Sequence, residues 1–171
     1  FQVDHHMGIA AAGYIPDARG QVNDIRFFSQ SSKLVYDEPV DVEMVARHTA
    51  DQFQHYTQYA GVRPMGVALI IGGVDNNGNS LFLADPSGTY VAYNAVAIGA
   101  NSDIVTEFLK KEYKPDITID EGIVLAIAAI YLASEIKEGT KHIKISQIRS
   151  DTKQFEIITD EHLTKLAEST A

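Results

Sequence analysis

The stretch that decides the fold is YTQYAGVRPMGV, residues 56–67, because one element ends in it and another begins at its last residue. Before it, apolar or small residues recur at helical spacing and predict a helix; its inner face consists of Val42, Val45, Ala46, Thr49 and Phe53. Within the stretch, Gly61, Pro64 and Gly66 favour turns and end that helix. Val67–Ile71 is then an apolar, largely β-branched run, which predicts a strand covered on both faces.

The chain before this stretch predicts two strands and a further helix. Phe1–Val3 suits a strand, and Met7–Ala12 is an apolar run that Gly13 ends at a turn. Pro16 and Asp17 fit the first turn of a helix, where proline loses no hydrogen bond and an acid meets the positive end of the helix dipole. One face of that helix carries residues at spacings of four, three and four: Ala18, Val22, Ile25 and Ser29.

After the stretch, short strands are followed by two helices. Turn-forming residues at 75–79 and 85–88 separate the strands. The first helix is predicted from about residue 102 to residue 113. The capping box Thr118–Glu121 opens the second helix, which is almost wholly apolar and must therefore be covered on most sides.

Two strands and a short helix complete the predicted order. The strands are marked by apolar residues on either side of a polar turn: Ile143, Ile145 and Ile148, then Phe155 and Ile157. Thr159 or Asp160 can cap the last helix. Pairs of helices segregated between blocks of strands predict an α+β fold, a four-layer sandwich with helices outside two stacked sheets.

The amino-acid composition limits which classes of protein and which kinds of partner are compatible with this chain. The chain has 171 residues, of which 45% are apolar and 22% charged, and this suits a single domain spanning residues 1–171. Its net charge of −9 argues against a nucleic acid or an anionic membrane as partner. It has no cysteine, which excludes disulfides and thiolate chemistry and allows a cytoplasmic setting. The longest apolar run, Ile123–Ala133, is about half the roughly 20 residues that a membrane-spanning helix needs.

Residues 56–67 resemble the segment that follows the second helix in α-type subunits of the proteasome. The similarity runs over twelve consecutive positions, of which only Ala60 and Met65 depart from the usual glycine and aromatic residue. Four shorter segments are also similar to their counterparts in the family: Gly13–Arg19, Tyr36–Pro39, Asp85–Gly88 and Ala97–Gly99. The resemblance therefore covers essentially the whole chain.

The resemblance implies the four-layer sandwich of amino-terminal-nucleophile hydrolases, which agrees with the α+β prediction. Members begin with a gating tail, a helix and two strands that have no counterpart here, and Phe1 would align near the start of the third strand. We therefore expect the sandwich to lack its first helix and first two strands. That would uncover Val67, Leu69 and Ile71 on one side, and we expect the chain by itself to self-associate.

The resemblance implies no catalytic residue. In catalytic β-type relatives a threonine at the mature amino terminus attacks the peptide, and an aspartate and a lysine tune it. Phe1 offers no nucleophilic atom, and Asp17 and Lys33 both fall in the first predicted helix. The segment Glu135–His142 also lacks the aspartate and serine that catalytic relatives carry there. These departures favour the non-catalytic α type.

The sequence predicts no metal site and no cofactor. His5 and His6 are adjacent in an expected strand, where neighbouring side chains face opposite sides. His48 and His55 are about 10 Å apart along one helix, which is too far for shared ligation. Two further histidines have no acidic or histidine partner at ligand spacing: His142 and His162.

The resemblance implies two sites. The first is the turn that lines the opening of the α ring: Tyr59, Ala60, Gly61 and Val62. Glycine permits a tight turn there and small side chains leave the passage open, although a plain helix-to-strand connection is the alternative. Gly13 and Tyr14 resemble part of the pocket between subunits that receives activator tails, and the lysine of that pocket would lie just before Phe1.

The implied partners are other proteins in the cytoplasm. They are further α subunits in a heptameric ring, a ring of β subunits, a regulatory ATPase or another activator, and unfolded substrates in transit. Two alternatives stay open. One is a β-type threonine peptidase whose nucleophile region is missing, and the other is a fragment or paralogue that binds partners without forming a pore.

Overall fold

Five strands of the computed structural model, which describes residues 1–134 and 142–168, form one antiparallel sheet in chain order. They are β1 (Gln2–Asp4), β2 (Met7–Gly13), β3 (Val67–Asp75), β4 (Gly78–Ala84) and β5 (Tyr90–Ala92). Two helices separate β2 from β3 in the chain: α1 (Ile15–Tyr36) and α2 (Val42–Gln58). These elements belong to the first of two compact units, which comprises residues 1–94 and 148–155.

Strand β3 is the central strand of this sheet. It pairs with β2 on one side and with β4 on the other, so that Ile71 lies opposite both Ile9 and Phe82. All three side chains are buried. The two-residue turn 76–77 joins β3 to β4, inside the turn predicted from composition.

The inner faces predicted for the first two helices are confirmed. Every one of these residues is fully or almost fully buried: Ala18, Val22, Ile25 and Ser29 on α1, and Val42, Val45, Ala46, Thr49 and Phe53 on α2. Both helices contact β3. They therefore cover one face of the sheet and share its hydrophobic core.

Two expectations for β3 are wrong: that three of its side chains are uncovered, and that both of its faces are covered. Val67, Leu69 and Ile71 were expected to be uncovered, but each is at most 1% exposed. They belong to the core cluster that contains the inner residues of α1 and α2. Side chains alternate along a strand, so Ala68 and Ile70 face the other side, where they are only partly buried. The strand is thus fully covered on one face, and that face looks toward helices.

The second unit lies within residues 95–147 and 156–171. It contains three helices: α3 (Ser102–Glu112), α4 (Ile119–Ala133) and α5 (Asp160–Glu168). Its core is aliphatic and consists of Ile123, Ile127, Ile143, Ile145, Ile158 and Leu163. The helices that the sequence predicts after residue 100 are therefore present.

Helix α4 begins with the predicted capping box. The Glu121 N–H donates to Thr118 Oγ1 at 3.3 Å, and the Thr118 N–H donates to Glu121 Oε2 at 2.7 Å. The expectation that α4 is covered on most sides is wrong, because Ile130 is 40% exposed and Leu132 is 46% exposed. The buried residues of the helix are Ile123, Ile127 and Ala129.

The predicted hairpin and its following helix are also confirmed. Strands β6 (Ser146–Ile148) and β7 (Phe155–Ile157) pair in a two-stranded sheet. Helix α5 follows, and the His162 N–H donates to Thr159 Oγ1 at 3.4 Å. Thr159 is therefore the residue that caps α5.

The segregation of helices and strands confirms the α+β class. The large sheet is antiparallel throughout, and its strands lie in two blocks on either side of α1 and α2 in the chain. In the parts of the chain that the structure describes, no helix combines the length and the apolar character needed to cross a bilayer. The stretch 56–67 connects α2 to the central strand β3, so its conformation determines how the end of the helix is positioned relative to the strand.

Candidate functional site at the end of helix α2

Residues 59–62, which were predicted to line a pore, form an exposed turn directly after α2. Tyr59 ends the helix, since its N–H donates to His55 O at 3.2 Å and its backbone is extended. Gly61 has a φ of +84°, and apart from its chain neighbours no atom of the described residues lies within 4 Å of where its side chain would be. Tyr59 is 65% exposed and Val62 is 47% exposed. Side chains on this turn therefore project into open space.

The end of this turn is anchored to α1 by an ion pair. Arg63 Nη1 donates to Asp17 Oδ2 at 2.6 Å, and Arg63 Nη2 donates to Asp17 Oδ1 at 3.0 Å. The guanidinium also lies over the ring of Tyr14, 5.3 Å from its centroid. A bidentate arginine–carboxylate pair fixes the direction of both groups as well as their distance. The chain is thus held in place immediately after residue 62.

Gly13 and Tyr14, the predicted pocket residues, are joined to the same stretch. The Tyr14 N–H donates to Gly66 O at 2.7 Å, and the Gly66 N–H donates to Asp17 Oδ2 at 2.9 Å. Gly13 lies opposite Val67 in the sheet. Its φ is +125°, and a Cβ there would collide with the Gly66 carbonyl. The structure therefore brings the two pocket residues against the chain that follows the exposed turn.

The ion pair between Asp17 and Arg63 shifts the pKa values of both side chains. The Arg63 guanidinium, and after it the Gly66 N–H, lowers the pKa of Asp17 below its usual value. The hydrogen bonds to Asp17 and its negative charge raise the pKa of Arg63. Both groups are therefore charged near neutral pH.

A cleft of about 470 Å³ opens beside Asp17, between α1 and α2. Its polar lining includes Asp24, whose Oδ2 accepts from Gln52 Nε2 at 2.8 Å and lies 2.8 Å from His48 Nε2. Gln21 Oε1 is buried and has no hydrogen-bond partner among the described residues. The cleft is of a size that small molecules occupy, and it lies next to the anchored stretch.

Arg63 is the residue whose role the sequence did not reveal. It stands inside the matched stretch 56–67, but its partner Asp17 lies 46 positions earlier in the chain. No spacing rule connects residues so far apart. The available signals were an acid in the first turn of a helix and an arginine after a turn, and each has a local explanation.

The residues considered for catalysis are not brought together. Asp17 lies in the first turn of α1 and Lys33 in its last turn, which separates them by about 24 Å along the helix axis. Asp17 is also engaged by Arg63. Of the segment Glu135–His142, residues 135–141 lie outside the described part of the chain.

The geometry of the histidines differs from the expectation. His5 and His6 lie in the turn between β1 and β2, not within a strand, and their ring centroids are 4.8 Å apart. The argument that they face opposite sides is therefore wrong. With Asp4 they form the one group of three that could hold a metal ion among the described residues. His162 also has an acidic neighbour that its sequence spacing did not indicate, since its Nε2 lies 4.0 Å from Asp120 Oδ1.

Comparison with known proteins gives a consistent result. Residues 1–147 match the family model described as "Proteasome subunit". The chain is 43% identical over 169 residues to "Proteasome subunit alpha" of Methanocaldococcus jannaschii, covering 98% of this chain and 64% of that protein. It is 39% identical over 163 residues to the protein of the same description from Methanothermobacter thermautotrophicus, covering 95% of this chain and 66% of the relative. The chain thus spans just under two thirds of the length of these curated relatives.

Proposed function

The chain belongs to the proteasome subunit family, and from this premise we propose that it is a non-catalytic α-type subunit of a proteasome core particle. Its fold is accordingly the α+β sandwich of the amino-terminal-nucleophile hydrolase type. Similarity over almost the whole chain to relatives that are named alpha subunits supports the α type. The role that follows is structural, because the subunit would form part of the wall and the opening of a chamber in which other subunits cut the substrate.

One observation carries the proposal for the opening: the turn at residues 59–62 is exposed while the chain is fixed on both sides of it. At the start of the turn, the Tyr59 N–H is hydrogen-bonded to the last turn of α2. After it, Arg63 is held by Asp17 through two hydrogen bonds. The rim of a pore must keep its position while a substrate passes, and its side chains must leave room. An anchored turn that contains Ala60 and Gly61 meets both needs.

We propose that the partners are other protein subunits and their substrates. Seven copies of α-type subunits would form a ring that stacks on a ring of catalytic β subunits. A regulatory ATPase or another activator would dock near Gly13 and Tyr14, and unfolded chains would pass through the opening. The net charge of −9 supports protein partners over nucleic acid or an anionic membrane. The cytoplasm is the proposed location.

The pore assignment can be tested at Ala60. The variant Ala60→Trp is placed in core particles that contain catalytic β subunits and lack gating tails, and degradation of an unfolded, fluorescently labelled protein is followed. We expect several-fold slower degradation, because seven large side chains would narrow the opening. Ala60→Ser hardly changes the size of the residue and should degrade the substrate at the wild-type rate. Equal rates for the two variants, in rings that look normal by electron microscopy, would show that the turn is a plain connection.

We also propose that the chain by itself cleaves no peptide. In support, Asp17 is engaged by Arg63, and Lys33 lies about 24 Å away at the other end of α1. A fluorogenic peptide assay on the purified chain checks this. Turnover that survives purification and disappears on Asp17→Asn or Lys33→Ala would instead favour a threonine peptidase. Failure to form rings with β subunits would favour the paralogue that binds partners without a pore.

A further inference from the structure

The turn between β1 and β2 gathers three side chains that are able to bind a metal ion. The donor atoms of Asp4, His5 and His6 all lie within 4.8 Å of one another. Asp4 Oδ1 accepts a hydrogen bond from the His5 N–H at 2.7 Å and lies 3.0 Å from His5 Nδ1. Asp4 Oδ2, the other oxygen of the carboxylate, lies 3.9 Å from His6 Nδ1.

Two of these donor atoms are buried without a partner. Among the described residues, neither Asp4 Oδ2 nor His6 Nδ1 has a hydrogen bond. His6 is only 1% exposed. In folded proteins nearly every buried polar atom has a hydrogen-bond partner or a ligand. Two unpartnered atoms only 3.9 Å apart therefore indicate a partner that both could share. A hydrogen bond between them at 3.9 Å is too long to serve.

The second nitrogen of His6 decides where the ring proton lies. His6 Nε2 is 2.8 Å from Val40 O. A carbonyl oxygen only accepts, so Nε2 carries the hydrogen, and in a neutral imidazole Nδ1 is left with its lone pair. Asp4 Oδ2, which is 3.9 Å from this nitrogen, also offers lone pairs and no hydrogen when ionised. A backbone carbonyl behind the distal nitrogen is the usual outer partner of a metal-bound histidine.

The backbone of the turn is fixed before any ion binds. His6 O accepts from the Val74 N–H at 3.0 Å, and His5 O accepts from the Phe155 N–H at 2.6 Å. Asp4 is oriented by the His5 N–H. A site whose backbone is already held in place loses less conformational freedom on binding, and this favours affinity.

We propose that Asp4, His5 and His6 bind one divalent transition-metal ion of the zinc class, with water completing its coordination. Two imidazole nitrogens and one carboxylate oxygen suit Zn²⁺ better than Mg²⁺ or Ca²⁺, which prefer oxygen ligands. Ligands at about 2.0–2.2 Å from an ion lie at most about 4.4 Å from one another. The 3.9 Å between Asp4 Oδ2 and His6 Nδ1 meets this limit.

The donor atoms of the group lie within 4.8 Å of one another, so a small adjustment brings all three within reach of one ion. The side chain of His5 is 36% exposed, against 10% for Asp4 and 2% for His6. His5 is therefore the ligand with room to rotate. The bound ion would hold the β1–β2 turn together and satisfy both unpartnered atoms.

The site is tested by metal titration of the tag-free, chelator-treated chain. Zn²⁺ binding is measured by calorimetry, and Co²⁺ binding by its visible absorption bands. We expect one ion per chain, and dissociation constants at least about tenfold weaker in His5→Ala and Asp4→Asn, since even loss of an outer-shell partner costs about 10-fold or more. Mg²⁺ should bind far more weakly than Zn²⁺. His6→Ala is avoided as the main variant because His6 is a buried core residue.

His48→Ala is the matched control. His48 Nε2 also lies against an acid, 2.8 Å from Asp24 Oδ2, but that oxygen already accepts from Gln52. Its loss should leave metal binding unchanged, and circular dichroism should show that every variant is folded. The proposal is overturned if no saturable Co²⁺ or Zn²⁺ binding occurs. It is also overturned if folded His5→Ala and Asp4→Asn bind as the unaltered chain does, or if His48→Ala weakens binding as much as they do.

Discussion

Arg63 donates hydrogen bonds to both carboxylate oxygens of Asp17, although the two residues lie 46 positions apart in the chain. Asp17 is in the first turn of α1, and Arg63 directly follows the exposed turn at residues 59–62. The Gly66 N–H donates to the same carboxylate at 2.9 Å. The course of the proposed pore turn thus depends on an acidic side chain from another element.

The ion pair between Asp17 and Arg63 should make the free energy of unfolding depend on pH in the acidic range. The folded-state pKa of Asp17 is lowered by Arg63 and by the Gly66 N–H. The unfolded chain therefore binds more protons, so the contribution is present above the usual carboxyl pKa of about 4 and is lost as the pH falls through the folded-state pKa. Asp17→Asn removes it. The difference in unfolding free energy between wild type and variant should be largest near pH 7 and should shrink below about pH 4.

Urea denaturation at a series of pH values measures this difference. Arg63→Gln removes the partner instead of the acid and should reduce the acid dependence to a similar extent, with little further effect in the double variant. A difference between wild type and Asp17→Asn that stays constant or grows on acidification would contradict the assignment.

Two glycines near the start of α1 should respond in opposite directions to alanine. Gly13 has a φ of +125° and no room for a Cβ beside the Gly66 carbonyl, so Gly13→Ala should lower the free energy of unfolding by at least about 1 kcal/mol. Gly20 lies inside α1, and apart from its chain neighbours and the adjacent backbone of the same helix, no atom of the described residues would lie within 4 Å of its Cβ. Gly20→Ala should stabilise the protein by about 0.5–1 kcal/mol. Thermal unfolding of both variants measures these effects. Equal shifts of the melting temperature in the same direction would contradict the prediction.

The capping box of α4 should have a measurable share in stability. Thr118 Oγ1 accepts from the Glu121 N–H, so Thr118→Ala leaves that donor without its partner. We expect a loss of about 1 kcal/mol in urea denaturation. Thr118→Ser keeps the hydroxyl and should recover most of the loss. If the serine variant is as unstable as the alanine variant, the hydroxyl is not the stabilising group.

The features that the sequence predicted well are those set by nearby residues. The inner faces of α1 and α2 follow from spacing alone, since the residues from Ala18 to Ser29 and from Val42 to Phe53 repeat at the helical period. The capping box is confined to Thr118–Glu121. In each case the signal and the structure that it specifies lie within a few turns of chain.

The features that failed depend on where a strand ends or on contacts far apart in the chain. His5 and His6 were expected in a strand, but β1 stops at Asp4 and the two rings meet in the following turn. Element boundaries are the least reliable part of such predictions. The pairing of Arg63 with Asp17 has no local signal at all, because it arises only when β3 returns beside β2.

The apolar run in β3 illustrates a third limit, and it leads to a prediction. A continuous run such as Val67–Ile71 does not reveal which alternate residues face the core. The structure places Leu69 on the helix-facing side with no exposure, whereas its neighbour Ile70 is only partly buried on the other side. Leu69→Ala should therefore cost about 2–5 kcal/mol, as large-to-small changes in a core do. Ile70→Ala removes the same number of carbon atoms from the same strand.

Even so, Ile70→Ala should cost clearly less, because its side chain gives up less buried surface and leaves no closed cavity. The two variants differ by one position in the same strand, so strand propensity and backbone pairing are matched as closely as the chain allows. Urea denaturation at neutral pH compares them directly. If Ile70→Ala proves as damaging as Leu69→Ala, the face of β3 that carries Ala68 and Ile70 must be packed as tightly as the face beneath α1 and α2, and the assignment of the core to one side of this strand is wrong.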